Sequence, residues 1–452
     1  MKKYIFLIFY LFLSTQLLGN TLEEALSLAY KKNPSIQAKR AELRSNDELV
    51  SISSSEFFPK IRFIGSYGQS VTNYKEVDEI RLRPNVAKIE AEQIIFSGGR
   101  LVNNRSQSLN IVAASRADLE ILEQEILFSA AEAFFNVLTN EKIVELREVN
   151  LDVLNERLEV AKIQFEVGEL TLTDVAQAEA RLSQAQSNLA DARSLLKARE
   201  ADYRSIIGLN PNNLEEWNKE FDLPQNENEA ISIALKNNPQ LKYYESIEKS
   251  SGYNVSSKKS MLSPQLSLRG EYIYAEDQSF LMSDDIDQYQ ITGQVKIPIF
   301  YGGLNWSNIR KAQEINSRDK YLIIDGKRKI RGFVKKSFAE YNASKLRISA
   351  TEKQTQATDI ALEGVKQEFQ LGTRTTLDIL DAEQEYLDAR VSLVTAKNDS
   401  NISLFRLSYY LGTLTPENLN MDIIKYDPNK NYKRVKTNKI GPNRIKVIGN
   451  VD

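Results

Sequence analysis

The chain has 452 residues, with 59 Lys and Arg against 61 Asp and Glu and a formal net charge of -2. So even a balance leaves no electrostatic footprint for nucleic acid. Histidine and cysteine are both absent. That removes thiol chemistry, disulfides, imidazole bases and nearly every zinc or copper site, so no cofactor is expected and the composition argues against an enzyme.

Met1-Lys2-Lys3 precedes an apolar run from Tyr4 to Leu18 broken by Ser14, Thr15 and Gln16. A basic start, a short apolar core and the small Gly19 read as a secretory signal peptide over residues 1–19. The run is short for a spanning helix, which needs about 20 apolar residues. No Cys follows it, which excludes a lipid-anchored lipoprotein. No later segment is apolar enough to span as a helix, so any insertion into a membrane has to use strands.

Self-comparison reveals an internal repeat. Ala29-Tyr30-Lys31-Lys32-Asn33-Pro34 returns as Ala234-Leu235-Lys236-Asn237-Asn238-Pro239, and Phe96-Ser97-Gly98-Gly99 as Phe300-Tyr301-Gly302-Gly303. The turns at Gly168 and Gly372 correspond as well, and so do Ile207-Gly208 and Leu411-Gly412. The chain therefore divides into a first repeat over 20–223 and a second over 224–420. Each begins with a helix interrupted at Asn-Pro, because proline disfavours the helical region for the residue before it.

Two strands follow in each repeat, over 60–71 and 84–96 and over 265–276 and 289–300. In the second repeat Leu266, Leu268, Gly270, Tyr272 and Tyr274 alternate with Ser267, Arg269 and Glu271. Tyr289, Ile291, Val295, Ile297 and Ile299 alternate with Gln290, Thr292, Gln294 and Lys296. Such alternation over about ten residues fits a transmembrane β-strand, and equally a half-buried soluble sheet. The polar stretches Thr72–Arg83 and Asp277–Gln288 read as connecting loops.

Gly98-Gly99 and Gly302-Gly303 mark strand-to-helix corners. Beyond them run proline-free helical patterns over 100–167 and 304–371, each roughly 100 Å long at 1.5 Å per residue. They turn at Gly168 and Gly372 into return helices over 172–208 and 376–411. Apolar residues recur there at steps of three and four, with Ala178, Ala185 and Ala192 matched by Ala382, Ala389 and Ala396. This is knobs-into-holes packing with close backbone approach. The residues 421–452 are rich in Lys, Asn and Arg and read as a disordered basic tail.

Only four candidate spanning strands are present, and natural spanning barrels have at least eight. A membrane sheet cannot leave its edges unpaired, so the chain would have to share its sheet with further copies. A simple periplasmic coiled-coil scaffold explains the heptads as well, though not the strands.

The signal peptide, the Asn-Pro breaks, the Phe-x-Gly-Gly corners and the duplicated hairpins resemble the TolC family of outer-membrane efflux channels. The nearest likeness is Gly372-Thr373-Arg374-Thr375, followed by Asp378-Ile379-Leu380-Asp381-Ala382. The resemblance covers Thr21 to about Leu419. It implies an α+β fold and a homotrimer, whose shared 12-stranded β-barrel in the outer membrane continues into an α-helical coiled-coil barrel in the periplasm. The implied partners are a periplasmic adaptor and an inner-membrane pump or ABC transporter, for drug efflux or type I secretion.

By the same resemblance Asp378 and Asp381 match the gate aspartates of the inward-bent tip. Three residues apart, they share one helix face, and three copies would stack two carboxylate rings that favour bound cations. Asp378 equally suits a helix start, where it complements the macrodipole. Arg374 matches an arginine that latches the tip to a neighbouring hairpin, with Thr173 and Asp174 as its counterparts. Asp174 also suits helix capping. Phe369 stands where the family can carry a tyrosine, so that hydroxyl is missing from the latch.

Overall fold

The computed structural model describes residues 21–75, 77–217, 219, 221, 223–278, 285–437 and 441. The signal-peptide reading over 1–19 lies outside them. Contacts divide the chain into two compact units. One gathers Met1–Ala38, Ile121–Asn238 and Lys329–Lys425; the other gathers Lys39–Glu120, Pro239–Arg328 and Tyr426–Asp452.

In chain order the elements are α1 (Leu22–Lys32), α2 (Pro34–Ser55), β1 (Lys60–Tyr67), β2 (Ser70–Tyr74), β3 (Val77–Leu82), β4 (Asn85–Phe96) and α3 (Arg100–Glu166). Then come α4 (Leu172–Ile207), α5 (Glu227–Asn237), α6 (Pro239–Ser260), β5 (Gln265–Glu276), β6 (Ile286–Lys296), α7 (Leu304–Gln370), α8 (Thr376–Leu411) and α9 (Pro428–Thr437). No helix among the described residues is long and apolar enough to cross a membrane.

In the first unit the Asn-Pro breaks have a packing job. Pro34 cannot continue α1, and Asn33 serves both sides of the interruption. Its Oδ1 accepts from the Ser35 amide at 2.9 Å, and its Nδ2 donates 3.0 Å to the Ile206 carbonyl at the end of α4. Asn238 does the same one repeat later, donating 2.9 Å to the Tyr410 carbonyl near the end of α8. Both asparagines are buried, and their bonds satisfy carbonyls in the last turns of α4 and α8 that have no partner within the helix. Gly412 closes α8 with φ of 73°. A Cβ there would lie 2.7 Å from the Asn238 Cα, so only glycine fits. Phe135, Trp217, Phe221 and Phe405 pack as a cluster with ring centroids 5.4–5.9 Å apart.

The second unit holds the sheet, in the antiparallel order β1-β4-β5-β6. Cross-strand register sorts its faces. Phe63, Ile89, Tyr272 and Tyr289 form one row, and the adjacent row, Arg62, Glu90, Glu271 and Gln290, points to the other face. On the polar face Glu90 is buried among Arg62, Lys88 and Arg269. On the apolar face Ile61, Phe63, Tyr67, Tyr289, Ile291 and Val295 are 62–82% exposed. The corners keep positive φ at Gly98, Gly99, Gly302 and Gly303. At Gly98 a Cβ would come within 2.3 Å of the Ser263 Cβ.

Four readings need correction. The strand expected over 60–71 stops at Tyr67, and Thr72–Arg83 is not a plain loop, because β2 and β3 pair there as a separate antiparallel hairpin. Its alternation is too short to stand out from its charged residues. The strand expected over 289–300 ends at Lys296, before Pro298, which has no N–H for a ladder. The basic tail is not wholly irregular. Pro428 opens α9, whose Asn431 donates 2.6 Å to Asp47 Oδ2, while Arg40 lies over Tyr426 and Arg116 over Tyr432. Composition hid these anchors because they are few among many lysines.

Candidate functional site

The two hairpin tips lie in the first unit and are built alike. At the first, Gly168 with φ of 84° lets the Glu169 amide reach back 2.8 Å to the Gln164 carbonyl. At the second, Gly372 with φ of 75° lets the Thr373 amide reach the Glu368 carbonyl at 3.0 Å. Such bonds satisfy the last carbonyls of α3 and α7.

Each return helix then starts with a capping box. Thr171 and Asp174 exchange side-chain and backbone hydrogen bonds at the start of α4, and Thr375 and Asp378 do so at the start of α8. Asp378 Oδ2 accepts from the Thr375 amide and hydroxyl, both at 2.8 Å. The Thr375 backbone and hydroxyl bonds hold the Asp378 carboxyl below the usual aspartate value. The Thr171 hydroxyl and amide do likewise for Asp174. The box occupies only one oxygen of Asp378, so its charge stays available to the tip surface.

Asp381 lies one turn further along α8. Its Oδ1 accepts 2.5 Å from Arg181 Nη2 on α4. Arg374 folds back within its own tip, its Nε 2.7 Å from Glu368 Oε2. The chain by itself does not bring Arg374 to Thr173, which is exposed, or to Asp174, which is engaged in its cap. Phe369 packs against an apolar cluster that includes Leu154, Leu158, Leu182, Ile379 and Leu380. A ring held there has no hydroxyl to offer a latch. Among the described residues no group of three or more His, Cys, Asp or Glu is arranged to hold a metal ion.

One pair was not anticipated. Arg157 on α3 donates to Glu383 Oε1 on α8 through Nε at 3.1 Å and Nη2 at 2.8 Å. Glu383 is buried, and its Oε2 has no protein partner. A signal existed. Leu380, Glu383 and Leu387 fall at steps of three and four, which places a carboxylate inside an apolar stripe. Such an ion has to be paired. The partner, 226 residues away, leaves no mark in local spacing.

The profile of the family described as Outer membrane efflux protein matches the chain twice, over residues 25–209 and 230–413. The outer membrane efflux protein BepC of Brucella suis biovar 1 is 31% identical over 424 residues, covering 93% of this chain and 91% of BepC. The outer membrane protein TolC of Escherichia coli K12 is 24% identical, covering 89% of this chain and 84% of TolC. In fold, the chain is similar to the CmeC outer membrane channel of Campylobacter jejuni, with a TM-score of 0.80 at 17% identity, covering 92% of this chain and 89% of CmeC. The chain belongs to the outer membrane efflux protein family, as an α+β exit duct of the outer membrane with a helical periplasmic extension.

Proposed function

We propose that three copies of this chain close one 12-stranded barrel and together form the exit duct of a tripartite assembly. The observation that carries the reading is the pair of open edges, β1 and β6, on a four-stranded sheet whose exposed face is apolar. In hydrocarbon those edges require partners, and four strands fall short of any spanning barrel. A periplasmic adaptor and an inner-membrane pump or ABC transporter would deliver cargo to the duct, for efflux or for type I secretion. The chain itself contributes a passive path.

The tips would form the gate. Asp378 and Asp381, repeated around the axis, give carboxylate rings that draw cations into the closed mouth. Arg181 and Asp381, with Arg157 and Glu383, tie α8 to the first hairpin and oppose opening. Arg374 would reach Thr173 and Asp174 of an adjacent copy only after leaving Glu368.

Cell fractionation with unheated gel electrophoresis tests the assembly. The expected product sediments with outer membranes and migrates as a heat-labile trimer. A soluble monomer would reject the duct.

A further inference from the structure

Where α2 gives way to β1, the second unit encloses an open-sided cavity of about 1040 Å³. Its apolar lining includes Ile52, Phe57 and Phe58, which are 39–63% exposed. Its charged lining includes Lys60, Arg105 and Lys436, all exposed and none with an ion-pair partner among the described residues. Two carboxylates, Asp47 and Glu48, also line it. Asp47 is fully buried and held by Asn431, so it serves the wall and not an incoming ligand. The far wall is α9, which supplies Tyr432, Val435 and Lys436.

The position of this cavity matters as much as its lining. Lys60 is the first residue of β1, the edge strand of the sheet that enters the outer membrane. On the duct reading proposed above, this end of β1, which follows directly on helix α2, places the cavity at the level of the headgroups. Tyr rings favour that depth because they join an apolar body to a polar tip, and Tyr432 in the far wall is of this kind. Cations with no ion-pair partner among the described residues lie, at that depth, within reach of lipid phosphate.

We propose that this cavity is a binding site for an anionic phospholipid of the periplasm-facing leaflet. Lys60, Arg105 and Lys436 meet the headgroup phosphate, and Ile52, Phe57 and Phe58 carry the upper acyl chain. The helix α9 then acts as a wall that holds the lipid beside the edge strand. Its further exposed cations, Lys430 and Lys433, extend the basic surface away from the cavity. This site is distinct from the gate and needs no cargo.

The test uses the full chain purified in detergent, with lipid retention read by native mass spectrometry. Wild-type protein is expected to keep about one phosphatidylglycerol per chain in preference to phosphatidylcholine. Lys60→Gln, Arg105→Gln and Lys436→Gln should each weaken retention roughly fivefold, as expected for one basic side chain at an anionic lipid surface. The triple variant should lose it almost entirely while migrating unchanged on an unheated gel. Asn431→Ala, which removes none of the three cations but loosens α9 and with it Lys436, should also weaken retention.

Several outcomes overturn the proposal. Equal retention by the triple variant removes the role of the cations. Equal binding of phosphatidylcholine removes the charge selectivity. Displacement by millimolar inorganic phosphate would mean a site for free anion. An altered oligomeric state in the triple variant would mean that a second copy fills the cavity. None of these would touch the duct reading, which rests on the sheet edges.

Discussion

Arg181 Nη2 lies 2.5 Å from Asp381 Oδ1, joining two return helices across 200 residues of sequence. Both side chains are substantially exposed, at 40% and 50%. Exposed pairs contribute only about 0–1 kcal/mol. A bond this weak suits a contact that has to break whenever the tip moves. Arg181→Gln should leave the melting temperature of the oligomer unchanged and raise the open fraction in planar-bilayer recordings. The charge swap Arg181→Asp with Asp381→Arg should restore the closed state. Recordings identical to wild type for Arg181→Gln would show that the pair holds nothing.

The same substitution separates two effects at the proposed gate. Asp378→Asn with Asp381→Asn should abolish block by divalent cations, while the amide oxygen introduced by the first change keeps an acceptor for the cap. Arg181→Gln breaks the Asp381 pair but leaves both carboxylates charged, so block should persist or deepen. Loss of block in Arg181→Gln would trace it to tip position and not to charge.

Arg157 and Glu383 behave differently, because Glu383 is buried. Removing one partner of a buried pair costs about 3–5 kcal/mol, since a lone charge is left in a poorly solvated site. Arg157→Ala should therefore lower the denaturation midpoint clearly. Arg157→Ala with Glu383→Gln should recover much of that loss, because a neutral amide costs less to bury. A double variant no more stable than Arg157→Ala would reject the account.

The capping boxes make a pH prediction. The Asp378 carboxyl titrates below its ordinary 3.8 in the folded chain. A depressed carboxylate contributes stability above its unfolded pKa, and loses it as pH falls through the lower folded value. Protection of the first-turn amides of α8, taken as exchange relative to the intrinsic rate at each pH, should be constant from neutral pH to about 4 and fall below that. The first turn of α4, capped by Asp174, should follow. Thr375→Ala should cost about 1 kcal/mol at neutral pH and weaken the pH dependence.

Gly208 and Gly412 end equivalent helices with φ of 88° and 73°, yet their surroundings differ. A Cβ at position 208 would meet nothing within 4 Å, whereas one at 412 would strike Asn238 backbone. Gly208→Ala should cost only the left-handed conformation, about 1–2 kcal/mol. Gly412→Ala should prevent α5 from closing on α8 and sharply reduce assembled protein on an unheated gel. Equal yields for the two variants would contradict the close approach.

Local patterning carried much of this fold. Alternation in Gln265–Glu276 marked a strand with the bounds the ladder has, since successive side chains point to opposite faces of a sheet. The glycine corners and Asn-Pro breaks were legible because few residues adopt those backbones. The ion pairs of Arg181 and Arg157 were not legible, because helix spacing says which face a residue shares and nothing about what crosses from 200 positions away. The docking of α9 escaped for another reason. Asn431, Tyr426 and Tyr432 gain their meaning only from Asp47, Arg40 and Arg116, already folded beneath them.

Asn33 bonds to Ile206 and Asn238 to Tyr410, so each anchor finds its partner inside its own half of the chain. Neither half borrows this closure from the other. A gene of half the length would thus have encoded a unit able to fasten its first helix to its last, and six such products offer as many long strands as three of the present chain. Once joined, the halves were free to diverge, and only the second now carries Arg374 and Asp381, where the first has Leu170 and Gln177.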